Sequence, residues 1–181
     1  AFLARFATDW TCGLLWNKLY KRALFDGIFF EEGHKIDDEY FTYQGVMNAA
    51  KVVCDPRVVY NYRQRASSVM QSPAARAQIA VDRIDFMAKR REKVLERFPE
   101  LRREFDISFV DALSYLADYP DNTEESIRLL KYYARRYFLQ RGNTFPPRYL
   151  LKAVFLMYVT STEKLLKRPQ AKKPSPEDYY A

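Results

Sequence analysis

The sequence is poor in glycine and histidine, and each shortage excludes a kind of site. Only 5 of its 181 residues are glycine. Phosphate-binding loops need several glycines at close spacing, and neither a Walker-type nor a dinucleotide-type glycine pattern occurs. The single histidine, His34, excludes a metal site built on two histidines and is expected to lie in a turn. The chain therefore carries no recognisable nucleotide-binding loop of its own.

Cysteine and long apolar runs are also scarce. Cys12 and Cys54 lack the spacing of a zinc site or a disulfide framework, so reduced thiols are expected, as in the cytoplasm. The most apolar segment, 149–160, contains Lys152 and is far shorter than the roughly 20 residues of a membrane-spanning helix. It is predicted to be a buried helix rather than a membrane anchor. No targeting signal is indicated, because charge follows a very short apolar start at Ala1–Ala4.

Positive charge is the main feature that is present. The formal net charge is +7, in a chain with 48% hydrophobic and 29% charged residues, which is an ordinary globular composition. Such a charge favours diphosphates, acidic polymers or a lipid surface, or it serves solubility alone. The basic clusters 89–91 and 135–136 have tyrosines near them, but helices of this kind usually just expose their charges, so we expect no nucleic acid partner. The expected location is cytoplasmic, with association to the inner membrane left open.

The fold class is predicted to be mainly α. Apolar residues recur at helical spacing, or acids and prolines mark a helix start, in six segments. They are Leu14–Phe25, Asp38–Asn48, Ala77–Phe98, Ile107–Ala117, Thr123–Leu139 and a last helix from Pro146-Pro147 to about Leu166. Arg91 falls in the apolar stripe of the third segment and weakens it.

Two short β-type runs interrupt this pattern in the first third of the chain. Lys51–Cys54 and Val58–Tyr62 are rich in β-branched and aromatic residues, and Asp55-Pro56-Arg57 between them predicts a turn. Composition divides the chain near Ser72-Pro73. We therefore predict a first unit at 1–72 with two helices and a short β pair, a bundle of about four helices at 73–167, and a flexible, proline-rich tail at 168–181.

The residues best suited to chemistry are the acidic triplet Asp37-Asp38-Glu39. Acids are common in the first turn of a helix, where free N–H groups and the helix dipole favour negative charge. A carboxylate held there and partly buried also has a raised pKa, which suits proton abstraction. The triplet alone is compatible with both a helix start and a general base, and Asp38 is the best candidate for the base. Glu39 is most simply a first-turn helix acid.

Four blocks, one of which contains the triplet, together resemble a known family. Trp-Asn-Lys-Leu-Tyr-Lys-Arg at 16–22 is followed by Phe-Glu-Glu-Gly at 30–33 and Asp-Asp-Glu-Tyr-Phe at 37–41. The fourth block is Tyr-Asn-Tyr-Arg-Gln-Arg-Ala-Ser-Ser-Val-Met at 60–70. In order and spacing, the stretch 11–71 resembles the C-terminal part of the catalytic domain of bacterial family 2 inverting glycosyltransferases. That family's first acid is usually Glu, where this chain has Asp37.

The resemblance implies a role for each matching residue. Asp38 would be the base that deprotonates the acceptor hydroxyl, and Asp37 would help to orient the acceptor or the helix. Arg63, Arg65 and Ser68 match the segment that closes over the nucleotide diphosphate, where an arginine pairs with phosphate oxygens. Trp16 and Lys18 match a substrate-binding helix, although such residues are more often core and solvated face.

The resemblance also implies what this sequence does not contain. Such enzymes hold a sugar nucleotide and a divalent cation (Mg²⁺ or Mn²⁺) in an N-terminal half with an Asp-x-Asp motif, which is absent here. We expect no metal site in this chain, and we expect the chain to be part of a longer protein and inactive alone. The partners would be a nucleotide sugar and a cell-envelope polysaccharide or lipid-linked glycan. The alternatives are a non-enzymatic helical interaction module and a module that binds a polyanion or a membrane surface.

Overall fold

The protein is mainly helical in the computed structural model, which describes residues 2–58, 60–63, 65, 73–117, 123–138 and 146–158. Within these residues there are six α-helices. They are α1 (Phe2–Arg5), α2 (Asp37–Asn48), α3 (Pro73–Arg97), α4 (Arg102–Ala117), α5 (Glu124–Phe138) and α6 (Pro147–Tyr158). Short 3₁₀ turns lie at Trp10–Gly13, Arg22–Phe25 and Pro99–Leu101.

The helices after residue 72 follow the sequence pattern closely, and their ends have local causes. Pro73 and Pro147 open α3 and α6, because proline has the φ of a helix and no N–H to leave unpaired in the first turn. At the start of α5, Thr123 and Ser126 form a reciprocal cap, in which each backbone N–H donates to the other residue's hydroxyl oxygen (3.2 and 2.9 Å). The predicted continuation of the last helix to about 166 and the tail at 168–181 lie outside the described residues.

Two interpretations within this helical region need correction. Arg91 is a buried link rather than a flaw in the stripe, since its Nε donates to the buried Asp106 of α4 (2.6 Å). Its guanidinium also lies over the ring of Tyr137 of α5, 4.4 Å from the centroid. The segment from Tyr149, predicted to be a buried helix, buries Tyr149 and Leu156 but leaves several large apolar residues of α6 exposed.

The predicted helix Leu14–Phe25 does not form. The backbone there is irregular apart from the 3₁₀ turn at Arg22–Phe25, and Leu19 is fully exposed. The Lys18 ammonium donates to the carbonyl oxygens of Thr11 (3.0 Å) and Leu14 (2.6 Å), and the Asn17 amide also donates to Thr11 (3.1 Å). Side chains thus satisfy carbonyl groups that a helix would bond to its own backbone.

The predicted β pair is not present among the described residues of 51–58, 60–63 and 65. The turn between the runs does form, with the Arg57 N–H donating to the Asp55 carboxylate (3.0 Å). A lone strand pair is marginal in water, and the valines at 52, 53 and 58 are exposed, so no packed face supports pairing. Tyr60 and Tyr62 instead stack on Trp16.

Buried side chains of the described residues form three clusters, all of which use α3. The largest joins α3 to α4, α5 and α6 around residues such as Ile84, Leu113 and Leu130. The second packs Tyr43 of α2 and the N-terminal segment against the end of α3 and the start of α4. The third packs Ile36 against the first half of α3. The core is therefore continuous across the predicted boundary near residue 72, and α3 supports the acidic segment directly.

Candidate functional site

The acidic triplet forms the first turn of α2, as predicted within one residue. Ile36 precedes the helix, makes no side-chain cap, and is buried against Ala75, Ile79 and Phe86. Further along α2, Gly45 lets the Phe25 ring pack so closely that a Cβ at residue 45 would clash with it. Contacts with α3 thus fix the start of α2, and the aromatic ring of Phe25 packs against its later turns.

The three acids of the triplet have different surroundings. Glu39 forms an ion pair with Arg83 of α3 (3.3 Å) and lies near the buried Arg90, so its charge is largely offset. Asp38 has no ion-pair partner among the described residues, and its Oδ1 accepts the Glu39 N–H (3.0 Å). Asp37 is partly exposed and has no ion-pair partner in the same part of the chain.

The pKa of Asp38 is raised above its ordinary value. Burial is the main cause, because it disfavours the charged form of the carboxyl group, and the negative charge of Glu39 adds to it. The hydrogen bond from the Glu39 N–H acts in the opposite direction. A carboxylate with a raised pKa is a stronger base than an exposed one, so Asp38 is the member of the triplet best prepared to accept a proton.

Two residues of the first sequence block, Lys18 and Tyr20, lie close enough to Asp38 for its charge to affect their pKa values. Burial raises the pKa of Tyr20 to about 12, and the charge of Asp38 adds to the rise. The Tyr20 hydroxyl is buried and makes no hydrogen bond of ordinary geometry, although the Thr42 hydroxyl lies close enough to lower its pKa. Tyr20 therefore lies beside the candidate base as a neutral hydroxyl group, a residue to which the sequence interpretation gave no role.

Lys18 is already engaged within the protein. Besides the two carbonyl oxygens that hold the 11–18 segment, its ammonium donates to the Asn17 side-chain oxygen (2.6 Å). An ammonium group has three N–H donors, and these bonds use all of them. The pKa of Lys18 is lowered, mainly by burial. This geometry supports the local chain path more directly than it supports contact with a substrate.

Trp16 and the Tyr-x-Tyr-Arg block come together, although 44 residues separate Trp16 from Tyr60. The Trp16 ring stacks on Tyr60 (centroids 4.4 Å apart, planes at 29°) and on Tyr62 (5.2 Å, 9°). All three rings are 38–49% exposed, so the stack forms an aromatic surface open to solvent. Arg63 and Arg65 are exposed and have no ion-pair partner among the described residues, and no contact joins them to Asp38. Ser68 lies outside the described residues.

A cluster around His34 holds the loop before α2 and was missed in the sequence. His34 Nδ1 lies 2.9 Å from Oδ1 of Asp82, a residue of α3 whose side chain is 1% exposed. The other oxygen of Asp82 accepts the backbone N–H of Lys35 (2.7 Å), and the Gln78 amide also donates to Asp82 (2.7 Å). The only available signal, a histidine shortly before three acids, does not identify a partner 48 residues away.

A second polar link lies beside this cluster. Lys89 of α3 forms ion pairs with Glu31 (2.9 Å) and with Asp85 (2.9 Å), and its ammonium lies over the Tyr40 ring, 5.4 Å from the centroid. The basic cluster 89–91 thus belongs to the packing of α3 rather than to a solvent-exposed surface.

Asp38 belongs to no possible metal site among the described residues, and the linings of two grooves do not include it. No group of three or more His, Cys, Asp or Glu side chains in the described part of the chain is placed to hold a metal ion. One groove, of about 720 Å³, follows the outer face of α5, and another, of about 510 Å³, lies between the turn after α1 and helix α4. Within the described ranges no helix is long and apolar enough to cross a membrane.

The geometry therefore offers a half-buried carboxylate without an ion pair, a buried tyrosine hydroxyl beside it, and a solvent-exposed aromatic stack. Comparison with models of protein families, with curated proteins and with solved structures found no match to this chain.

Proposed function

We propose that this chain is the acceptor-side part of an inverting, family 2-like glycosyltransferase, with Asp38 as the general base. The observation that carries the proposal is the contrast within the triplet: Arg83 offsets the charge of Glu39, whereas Asp38 has no ion pair and a raised pKa. The order of the four sequence blocks supports the assignment to this reaction class rather than to another that uses a carboxylate base.

The reaction would proceed in one displacement. The acceptor hydroxyl loses its proton to the Asp38 carboxylate as its oxygen forms a bond to the anomeric carbon of the donor sugar. The bond from that carbon to the diphosphate oxygen breaks, and the nucleoside diphosphate leaves with the electron pair. The guanidinium groups of Arg63 and Arg65 are exposed and free of ion pairs among the described residues, so they are available to a diphosphate.

A divalent cation would bind in the nucleotide-binding half of a longer protein. The described residues of this chain provide no ligand cluster for it, so no step is assigned to a metal here. Stabilisation of the leaving group is usually a large share of catalysis, whereas a well-placed base contributes about 10²–10⁴-fold. This chain alone is therefore expected to be inactive with a nucleotide sugar.

The aromatic stack of Trp16, Tyr60 and Tyr62 is assigned to acceptor binding. Its exposed rings offer apolar faces to the C–H groups of a sugar ring, and Trp16 occupies the matching position of the family's substrate-binding segment. The acceptor class is a cell-envelope polysaccharide or a lipid-linked glycan, as the resemblance implies.

The test is transferase activity of a protein that contains this chain together with a nucleotide-binding half. Nucleoside diphosphate release is measured with a panel of nucleotide sugars for wild type, Asp38→Asn and the control Glu32→Gln, which changes an exposed acid of the same loop. Asp38→Asn is expected to lower kcat by about 10²–10⁴-fold, and Glu32→Gln to leave it near wild type. Near wild-type turnover in Asp38→Asn would refute the base assignment.

A second candidate function is a helical module that binds a membrane surface or another polyanion. The exposed apolar residues of α6 favour it, because contiguous apolar surface on a protein usually marks an interaction site. The two functions are compatible within one protein, since α6 lies outside the residues assigned to the reaction.

A further inference from the structure

Helix α6 turns a large apolar face to solvent. Tyr149 and Leu156 are buried against the bundle, whereas Leu150 (47% exposed), Leu151 (73%), Val154 (42%) and Phe155 (50%) are not. At 3.6 residues per turn these four side chains lie on one face, opposite the buried pair. Single exposed apolar residues are common on proteins, but four adjacent ones on one helix form a patch of the kind that binds a partner.

The charges around this patch are positive. Helix α6 contains Arg148 and Lys152 and no acidic residue. Arg148 is exposed, and helical spacing places it one turn before Leu151, at the edge of the apolar face. The helix thus has the composition of one that lies in a membrane surface, with leucine and phenylalanine on one face and the basic Arg148 next to it.

The neighbouring helix α5 adds an independent set of cations. Arg128, Lys131 and Arg135 follow one another at helical spacing along its outer face and line the groove of about 720 Å³. None of the three forms an ion pair with another described residue, whereas Arg136 at the edge of the groove pairs with Glu92 (3.2 Å). Glu124 is the only acid among the residues that line the groove.

We infer that α5 and α6 form a docking face for an anionic lipid bilayer. Helix α6 would lie in the plane of the interface with its apolar face among the acyl chains, and the α5 cations would contact lipid headgroups. Both features are needed for this partner. A soluble polyanion would use the cations and leave the apolar face in water, and a second copy of this chain would bring the same positive charges against each other.

This inference rests on the second candidate function, for which it names the partner, and the docking face is separate from the proposed reaction. None of its residues belongs to the acidic triplet, the aromatic stack or the loop that His34 holds. A variant such as Asp38→Asn should therefore bind vesicles as the wild type does, so failure of the proposed function and failure of this inference are distinguishable.

The test is co-sedimentation of the 181-residue chain with vesicles. Vesicles of phosphatidylcholine mixed with phosphatidylglycerol are compared with vesicles of phosphatidylcholine alone, at low and high salt. We expect binding to the mixed vesicles that weakens as salt is added, because surface charges are screened. Binding that is equal on both vesicle types, or undetectable on both, would overturn the inference.

Two sets of variants, each with a matched control, locate the face. Arg128→Gln, Lys131→Gln and Arg135→Gln combined should weaken binding by about 10²-fold, from roughly fivefold per cation near an anionic leaflet. The control combines Lys21→Gln, Lys51→Gln and Arg102→Gln, three exposed cations elsewhere, and changes the net charge equally. Equal loss in both triple variants would show that net charge alone attracts the chain, and would refute the assigned face.

The apolar residues of α6 are tested with a second pair of variants. Leu151→Gln with Phe155→Gln should weaken binding by at least tenfold, since each removes apolar surface that the acyl region would bury. The control Leu19→Gln with Val53→Gln removes exposed apolar residues outside α6 and should bind as the wild type does. If the wild type is a dimer in solution and the α6 variant is a monomer, the face belongs to a second copy of the chain and the lipid assignment is wrong.

Discussion

The two halves of the described chain are held together by different means. The helical half, α3 to α6, is joined by apolar side chains at helical spacing, with Leu113 and Ala134 completely buried at its centre. The half before α3 has irregular backbone over most of its length, and single polar contacts add to its two smaller apolar clusters. Every acidic or aromatic residue proposed for the reaction lies in the half before α3. The regular half therefore supplies rigidity, and the irregular half supplies the chemistry.

Helix α3 is where the two halves meet. Asp82 holds the loop before α2 through His34 and the Lys35 N–H, and Arg83 pairs with Glu39 in the first turn. These contacts are buried or partly buried, so they are screened less than surface ion pairs. The position of Asp38 is thus set from a helix that is itself part of the larger core.

The largest expected effect is on the helical half. Leu113→Ala should lower the free energy of unfolding by about 2–5 kcal/mol, because it leaves a cavity in the main cluster where Leu113 is fully buried. Leu19→Ala, at a fully exposed leucine of the irregular half, should change it by less than about 0.5 kcal/mol. Denaturant unfolding followed by circular dichroism measures both. Similar losses in the two variants would contradict the contrast between the halves.

A smaller effect is expected at the contact between the halves. Asp82→Ala leaves His34, the Lys35 N–H and the Gln78 amide without their acceptor, and should cost about 3 kcal/mol. Hydrogen exchange should show that the amides of 31–39 lose protection before those of α4 and α5. Asp26→Ala, at an exposed acid, is the control and should change neither quantity. Uniform loss of protection across the chain would mean that Asp82 supports the whole core rather than the acidic loop.

The smallest expected effect is the contribution of Asp38 to the pH dependence of the free energy of unfolding. Its pKa is raised in the folded chain, so the folded state binds a proton more tightly than the unfolded state does. The stability that it contributes is therefore complete below the unfolded pKa and is lost as pH rises through the folded pKa. Asp38→Asn should make the protein slightly more stable at neutral pH, and the gain should vanish in acid.

The pKa of Asp55, in the same half of the chain, is shifted in the opposite direction from that of Asp38. Its side-chain hydrogen bonds from Arg57 lower its pKa, so its contribution is present above the unfolded pKa and is lost as pH falls through the folded pKa. Asp55→Asn should therefore make the protein slightly less stable at neutral pH. Thermal unfolding of both variants across the acidic range measures the two signs, and equal signs would contradict the assigned environments.

The same contrast explains how much the sequence could predict. Helices α2, α3 and α5 start or end within a few residues of their predicted bounds, because apolar spacing, acids and prolines act locally. The helix predicted at 14–25 was wrong because Lys18 bonds to the carbonyl groups of Thr11 and Leu14. The spacing of apolar residues does not indicate such side-chain bonds. The predicted β pair is absent from the described residues, because the composition of the runs 51–54 and 58–62 does not indicate whether another surface packs against them.

The candidate site could be predicted only in part for the same reason. Asp38 is identifiable as a residue of a helix start, but its burial and its lack of an ion pair depend on where Arg83 and Tyr20 lie. The link between His34 and Asp82 joins two distant parts of the sequence, and neither residue has a local pattern that indicates the other. Contacts of this kind become visible only when α3 is packed against the loop.

The most direct test of the account is the titration of the Asp38 carboxyl group itself. Carbon-13 NMR of side-chain carboxyl groups, assigned with Asp38→Asn and Asp55→Asn, gives the pKa of each in the folded chain. The account predicts that Asp38 titrates above the ordinary aspartate value of about 3.9 and that Asp55 titrates below it. An Asp38 pKa at or below that value would show an ordinary helix-start acid, and the claim that burial prepares it as a base would fail.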